Sequence, residues 1–342
     1  MELDSRKLQI LRAIVDEYIL SASPVGSKSL SQNSKWSSAT IRNEMADLEV
    51  LGYLAQPHTS AGRIPSEKAY RLYVDHMMQR AHLSEEESKL LRGYFREHVH
   101  SVDAVLRGTA KALSEITHYT AVVLMPDIGV NRLKHLQLIP LTDGKALAVV
   151  VTDAGVSQNS VIDIPFDLGP EELDRISKAI TYRFGGCRMS KVSSMLVREL
   201  GGELSSRADF VESLLSTICE NQSRDRRMVE LSGTTNMLEY PEYSDVSKAK
   251  TFLATVEQRD SMYRMLKKAS TMEFTVTIGS ENEQEGLQDC SVVTASYSVD
   301  GTPFGSFGVI GPTRMDYARV LSILSNVQKD LRTILQSYLK EE

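Results

Sequence analysis

Three cysteines in 342 residues, Cys187, Cys219 and Cys290, are too few and too far apart for a disulfide framework, and their number is odd. Such a chain suits a reducing cytosol better than a secreted scaffold. No apolar run approaches the roughly 20 residues that a membrane-spanning helix needs, and Met1-Glu2-Leu3-Asp4 does not open a signal peptide. A cytoplasmic protein with no membrane partner is expected. Catalytic signatures are equally scarce. There is no G-x-x-x-x-G-K-[ST] loop, and Gly305, Gly308 and Gly311 have neither the spacing nor the strand-then-helix setting of a dinucleotide-binding turn. A tight strand and turn account for them better. His98 and His100 stand two apart on an expected helix and point in different directions, while His76, His82, His118 and His135 are isolated. The run Glu85-Glu86-Glu87 reads as a helix N-terminus complementing the dipole rather than as a carboxylate dyad. The expectation is therefore no catalytic residue, no metal site and no cofactor.

What is present is ordinary in bulk and particular in detail. Hydrophobic residues make up 42% and charged residues 25%, a soluble composition long enough for two or three domains. The net charge of −6 opposes a polyanionic partner, but it is unevenly distributed. Residues 1–80 hold 10 Lys+Arg against 9 Asp+Glu, so the acidity belongs to the rest. A near-neutral domain with a basic edge at Arg63, Lys68 and Arg71 neutralises few phosphates, which asks for two copies acting together.

The sharpest pattern is Ser37-Ser38-Ala39-Thr40-Ile41-Arg42-Asn43-Glu44-Met45. Ser37 or Ser38 can cap a helix whose Ile41, Met45, Leu48 and Leu51 form a buried stripe. The opposite face carries Ala39, Asn43, Ala46 and Asp47, with Thr40 and Arg42 on the flanks. Asn pairs with adenine, Arg with guanine or phosphate, and small methyl-bearing residues touch thymine. Upstream, Ser5 to Leu20 has an apolar stripe, Pro24-Val25-Gly26 breaks it, and Ser27 caps a short helix. Downstream, Tyr53 to Gln56 reads as a strand, and His58 to Arg63 as a loop in which Gly62 can take positive φ and Arg63 can reach a phosphate or a minor groove. A further helix, Ser66 to about Gln79, follows. Helix, turn, helix and wing together read as a winged helix-turn-helix.

Pro24-Val25-Gly26-Ser27-Lys28, the Ser37–Met45 stretch, Gln56-Pro57-His58-Thr59-Ser60-Ala61-Gly62-Arg63-Ile64-Pro65 and, far downstream, Ile310-Gly311-Pro312-Thr313-Arg314-Met315-Asp316-Tyr317 closely resemble the HrcA family of bacterial heat-inducible transcription repressors. The resemblance implies a homodimer bound to an inverted-repeat CIRCE operator of chaperone operons and kept active by the GroE chaperonin. With the reading above, it makes Ser27, Lys28, Ser37, Ser38, Thr40, Arg42, Asn43, His58, Thr59, Ser60, Gly62 and Arg63 the candidate DNA-binding residues. The alternative is a metabolite-sensing winged-helix regulator with a small-molecule site in its body.

The fold class expected is α+β. After the DNA-binding domain (1–80), Ser84 and Glu87 form a capping box that opens a long helix. Strands are expected at Ala121–Met125, Leu133–Ile139, Ala146–Thr152 and Ser157–Ile164, helices from Pro170 to about Arg227, and strands again at Phe274–Ile278, Val293–Val299 and Ser306–Ile310. The resemblance suggests a GAF-like domain with an antiparallel sheet, in two parts (81–169 and 228–342), carrying an inserted, mainly helical dimerising domain (170–227). The last helix has an a/d seam at Val320, Leu324, Val327, Leu331, Ile334 and Tyr338. It fits equally a helix packed on its own sheet and a contact with a partner chain.

Overall fold

Helices and strands assemble into three groups. The computed structural model describes residues 3–58, 61–79, 81, 83–97, 102–125, 132–153, 157–189, 192, 207–225, 229–299 and 302–340. Thr59, Ser60, His82, His98 and His100 lie outside them. Among the described residues no helix is long and apolar enough to cross a membrane.

The first group is four helices and a short hairpin: α1 (Ser5–Ser21), α2 (Ser27–Gln32), α3 (Ser38–Val50), β1 (Leu54–Ala55), β2 (Ile64–Pro65) and α4 (Glu67–Leu72), which runs on as a π turn, Tyr73–Met77. Asp4 caps α1 and Ser66 caps α4, each accepting a backbone N–H of the first turn. Ile10, Leu11, Ile14 and Val15 of α1 pack with Ile41, Met45 and Leu48 of α3.

The second group is a sheet sandwiched by helices. Strands β3 (Thr120–Leu124), β7 (Val229–Ser232), β8 (Phe274–Ile278), β9 (Cys290–Val299) and β10 (Thr302–Pro312) form one antiparallel sheet in the order β7-β3-β10-β9-β8. On one face lie α6 (Val102–Thr117) and the last helix, α11 (Tyr317–Lys340); on the other lie α9 (Val246–Glu257) and α10 (Arg259–Ala269). Alternation divides β3 between them, with Ala121 and Val123 on the α11 side and Val122 and Leu124 on the α10 side. The capping box forms as expected at the start of α5 (Glu85–Glu97): Ser84 N donates to Glu87 Oε2 at 2.8 Å, and Glu87 N to Ser84 Oγ at 3.1 Å. The α11 seam packs on its own sheet through Val320, Leu324, Val327 and Leu331, and continues through Leu335, with Ile334 half-buried.

The third group departs from the reading of the sequence. Strands β4 (Leu133–Pro140), β5 (Lys145–Thr152) and β6 (Ser157–Asp163) do not join the sheet of β8, β9 and β10. They close locally as a three-stranded antiparallel meander, and helices α7 (Pro170–Phe184) and α8 (Ala208–Asp225) cover one face. Leu136, Leu138, Ala146, Ala148, Val150 and Ile162 pack there against Leu173, Ile176, Ile180, Val211 and Leu214, as a core separate from the other two. These three strands therefore belong with the helices that begin at Pro170, not with the first part of the larger sheet. Alternation showed which face each strand buries, but not which strand lies beside it.

The DNA-binding unit does not hang on a linker. Its buried residues are continuous with those of α6, α11 and the large sheet. Tyr70 of α4 lies 6.0 Å, ring to ring, from Tyr317. Arg314, in the C-terminal motif, donates to the Ile19 carbonyl of α1 at 3.3 Å while its guanidinium is paired with Glu242. Arg71 of α4 pairs with Glu281 and donates to the Val276 carbonyl of edge strand β8 at 2.8 Å. Burial pushes the Glu281 carboxyl up, but Arg71 and the Ile278 N–H outweigh it and hold it below the ordinary glutamate range.

Candidate nucleic-acid interface

The recognition helix begins where the sequence places it. Ser37, in an extended conformation, accepts the Thr40 N–H at 3.1 Å and shares a hydroxyl contact of 2.9 Å with Thr40. Ser38 Oγ lies 2.9 Å from Ser27 Oγ, which ties α2 to the start of α3 at the crossing of the two helices. Ile41, Met45 and Leu48 are buried, and Ala39, Arg42, Asn43, Ala46 and Asp47 are exposed on the opposite face. Lys28 and His58 are also exposed. The structure thus brings Ser27, Lys28, Ser37, Ser38, Thr40, Arg42 and Asn43 together around one helix.

Two wing residues behave differently from expectation. Gly62 has no positive φ. Its lack of a side chain serves close approach, because a Cβ there would lie 2.2 Å from the Val25 carbonyl oxygen. That approach lets Val25 and Arg63 exchange backbone hydrogen bonds of 2.9 and 2.8 Å, stitching the wing to the segment before α2. Arg63 does not reach outward: its Nε and Nη2 both lie 2.8 Å from Glu49 Oε2 on α3.

The acidic residues of α3 were the part that sequence reasoning missed. Glu44 is only 8% exposed. It meets Lys7 Nζ at 2.7 Å and Arg6 Nη1 at 3.3 Å, while Asp47 meets the same Lys7 at 3.0 Å. Glu44 and Asp47 hold the Lys7 ammonium above the ordinary lysine range. Each carboxylate of the helix, Glu44, Asp47 and Glu49, therefore has a cation, so a helix with three acids presents little net negative charge to phosphates. The signal was available in the pairing of Arg6-Lys7 at the start of α1 with acids one stripe over on α3, but only once the helices are known to cross there. Lys35, also unassigned by the sequence reading, lies just before the helix with its ammonium 5.0 Å from the Trp36 ring centroid. Lys68 is committed to the fold: it donates to the Leu51 carbonyl at 2.9 Å, at the C-terminal end of α3, and sits 4.3 Å over the Tyr53 ring.

Residues 2–78 match the family described as "Winged helix-turn-helix transcription repressor, HrcA DNA-binding", and residues 103–321 match "HrcA protein C terminal domain". The chain belongs to the HrcA family. It is 40% identical over 341 residues to the heat-inducible transcription repressor HrcA of Brevibacillus brevis, covering 99% of this chain and 100% of that one. It is also 40% identical to the protein of the same name from Pelotomaculum thermopropionicum, with 99% of each chain covered. A solved structure titled "Crystal structure of a hypothetical protein at 2.2 A resolution" shares the fold, with a TM-score of 0.67 over 98% of this chain at 23% identity. The family is one of transcription repressors with an N-terminal winged-helix DNA-binding domain, and the geometry of α3 and its hairpin is that of such a domain.

Among the described residues no group of three or more His, Cys, Asp or Glu could hold a metal ion.

Proposed function

We propose that two copies of this chain bind an inverted-repeat operator of the CIRCE type upstream of chaperone operons, and that the bound dimer represses by blocking transcription. The observation that carries this reading is the exposed face of α3, with Arg42 and Asn43 pointing away from a packed core and the neighbouring acids neutralised. In each half-site α3 enters the major groove. Asn43 reads a base, Arg42 a base or a phosphate, and the Ser27, Lys28, Ser37, Ser38 and Thr40 edge holds the backbone. The wing, with His58, Thr59, Ser60, Gly62 and Arg63, lies alongside.

Dimerisation has its own support. The face of the three-stranded sheet turned away from α7 and α8 carries the row Ile139–Leu147–Val161 in register, with Ile139 43% and Val161 56% exposed. Exposed apolar sheet faces of this kind are commonly covered by a partner, and a second copy covers this one symmetrically. In this reading the 133–218 unit is the dimerising insert and the large sheet with its helices is the GAF-like body.

The GroE chaperonin sets how much of the repressor is competent. Strand β3 pairs with β10 through Val123 and Phe307, with the whole third group lying between them in sequence. Closing such a sheet is slow and leaves apolar surface exposed meanwhile. The test is footprinting and gel shift of the full-length protein on an inverted-repeat promoter fragment, refolded with and without GroE. Two symmetric protected half-sites and a chaperonin-dependent active fraction are expected. Protection of a single half-site, or an active fraction indifferent to GroE, overturns the corresponding part.

A further inference from the structure

The fold engages most of the positive charge of the DNA-binding unit internally. Arg6 and Lys7 are paired with Glu44, Arg12 with Asp16, Arg63 with Glu49, and Arg71 with Asp75 and Glu281. Lys68 donates to the Leu51 carbonyl. Lys28, Lys35 and Arg42 remain: all three are exposed, and among the described residues none of them has an ion pair. They fall on one structural unit, with Lys28 on α2, Arg42 on α3 and Lys35 in the turn between, two residues before the Ser37 cap. Lys28 and Arg42 belong to the proposed operator interface. Lys35 has no place in it, yet its side chain has a defined seat. Its ammonium stands 5.0 Å from the centroid of the Trp36 ring, and Trp36 is half-buried against the core of the unit. The Ser34 hydroxyl fixes the turn, accepting the Trp36 N–H at 3.3 Å and donating to the Trp36 carbonyl at 3.2 Å.

We propose that Lys35 is a phosphate contact of the helix-turn-helix, held in place by Trp36, and that it gives each half-site affinity for DNA without regard to sequence. A cation over an aromatic face at the surface adds little to the stability of a fold. Its consequence here is order. A lysine side chain loses rotamer freedom on binding a phosphate, and one already seated on a ring has less to lose. The ammonium has three donors, so it can stay over the ring and still donate to a phosphate oxygen. The carboxylates of α3 do not compete for it, since Glu44 and Asp47 are taken by Lys7 and Glu49 by Arg63. A phosphate oxygen carries no base identity, so Lys35 contributes register and affinity but no sequence preference. The proposal rests on the reading of α3 as the element that meets DNA, but it concerns the salt-dependent part of binding, which is measured separately from operator preference.

The experiment is a gel-shift salt series with full-length protein on two duplexes, the inverted-repeat operator and a random sequence of equal length. Lys35→Gln is expected to lower the slope of log K against log salt by about 0.9 per half-site. It should weaken binding to both duplexes by the same factor and leave Tm unchanged, and Lys35→Arg should keep the wild-type slope. Trp36→Leu, which keeps the charge and removes the ring, is expected to retain the slope and lose roughly two- to fivefold in affinity per half-site. An unaltered slope in Lys35→Gln overturns the contact, and so does a loss confined to the operator. An unaltered affinity in folded Trp36→Leu overturns the seating by the ring; should that variant fail to fold, Lys35→Gln against Lys35→Arg decides the contact alone. A wild type that binds both duplexes equally overturns the operator reading, while the slope difference still decides Lys35. A wild type that prefers the operator, with Lys35→Gln behaving identically, overturns Lys35 and leaves the operator reading standing.

Discussion

The pairing of Arg63 with Glu49 allows a test of what the wing contributes to DNA binding. Both guanidinium contacts fall on one carboxylate oxygen at 2.8 Å, with the Arg63 side chain 19% and the Glu49 side chain 35% exposed. A half-exposed pair of this kind stabilises the fold by no more than about 1 kcal/mol, so substitutions at either end should shift Tm little. Their effect belongs in the complex. If Arg63 turns from Glu49 to a phosphate when DNA arrives, Arg63→Ala removes one such contact per half-site, about 0.9 in the slope of log K against log salt for each. For two half-sites the slope falls by roughly 1.8, which corresponds to about a twelvefold smaller loss of affinity between 50 and 200 mM salt. Glu49→Gln should act oppositely, since it frees the guanidinium in advance: tighter binding to all sequences with base preference unchanged. Gel shifts over a salt series with wild type, both single variants and the double variant measure this directly. An unaltered slope in Arg63→Ala, or an altered base preference, would refute the assignment of Arg63 to the backbone. An affinity gain from Glu49→Gln that survives in the double variant would show that the two residues do not compete.

Three further outcomes are expected. Asn43 is exposed and makes no contact that α3 needs, so Asn43→Ala should leave Tm unchanged, cost roughly 1–3 kcal/mol in operator binding and relax specificity at one position per half-site; competition gel shifts with single-base operator variants check it. Val161→Glu, on the exposed face of β6, should convert the proposed dimer to monomer without unfolding it, read by analytical ultracentrifugation, and a dimer of unchanged strength would place the interface elsewhere. Burial pushes the Cys290 thiol up to about 12 against an opposing hydrogen bond from Tyr243. Because the reactive species is the thiolate, Cys290 should resist iodoacetamide in native protein up to about pH 10 and react only on unfolding, as peptide mass mapping would show.

The parts of this fold legible in the sequence were those fixed by local chemistry. Ser37 announces α3 because its hydroxyl satisfies a first-turn N–H whatever lies around it, and the Ser84–Glu87 box works in the same way. The stripe of Ile41, Met45 and Leu48 likewise needs only the helical period. What depended on distant chain was read incompletely. Gly62 stands out in the sequence as a turn glycine, but the cause is the Val25 backbone, 37 positions earlier in the chain, rather than its own φ. In the sequence Arg63 looks like a cation able to reach a phosphate, because Glu49 becomes its neighbour only when the hairpin folds back on α3. The strands at 133–163 were found as strands, yet nothing in their alternation distinguishes a local meander from membership of the larger sheet. The seam of α11 suits a sheet and a partner chain equally by its period, and it packs on the sheet because Val293, Ala295 and Phe307 supply the apolar face it needs.

The unbroken core between the DNA-binding unit and the body bears on how this repressor meets heat. From Leu11 and Ile41, by way of Tyr70 and Tyr317, to Leu324 there is no layer of solvent at which the molecule could part cheaply. A winged helix on a tether would melt on its own schedule and could go on gripping DNA after the body had failed. Here the two share one core, so loss of the α6–α11 packing is expected to take the DNA-binding unit with it. The body then acts as the thermometer and α3 as its pointer, so that changes deep in the sheet, far from α3, shift the temperature at which the DNA-binding unit loses its fold.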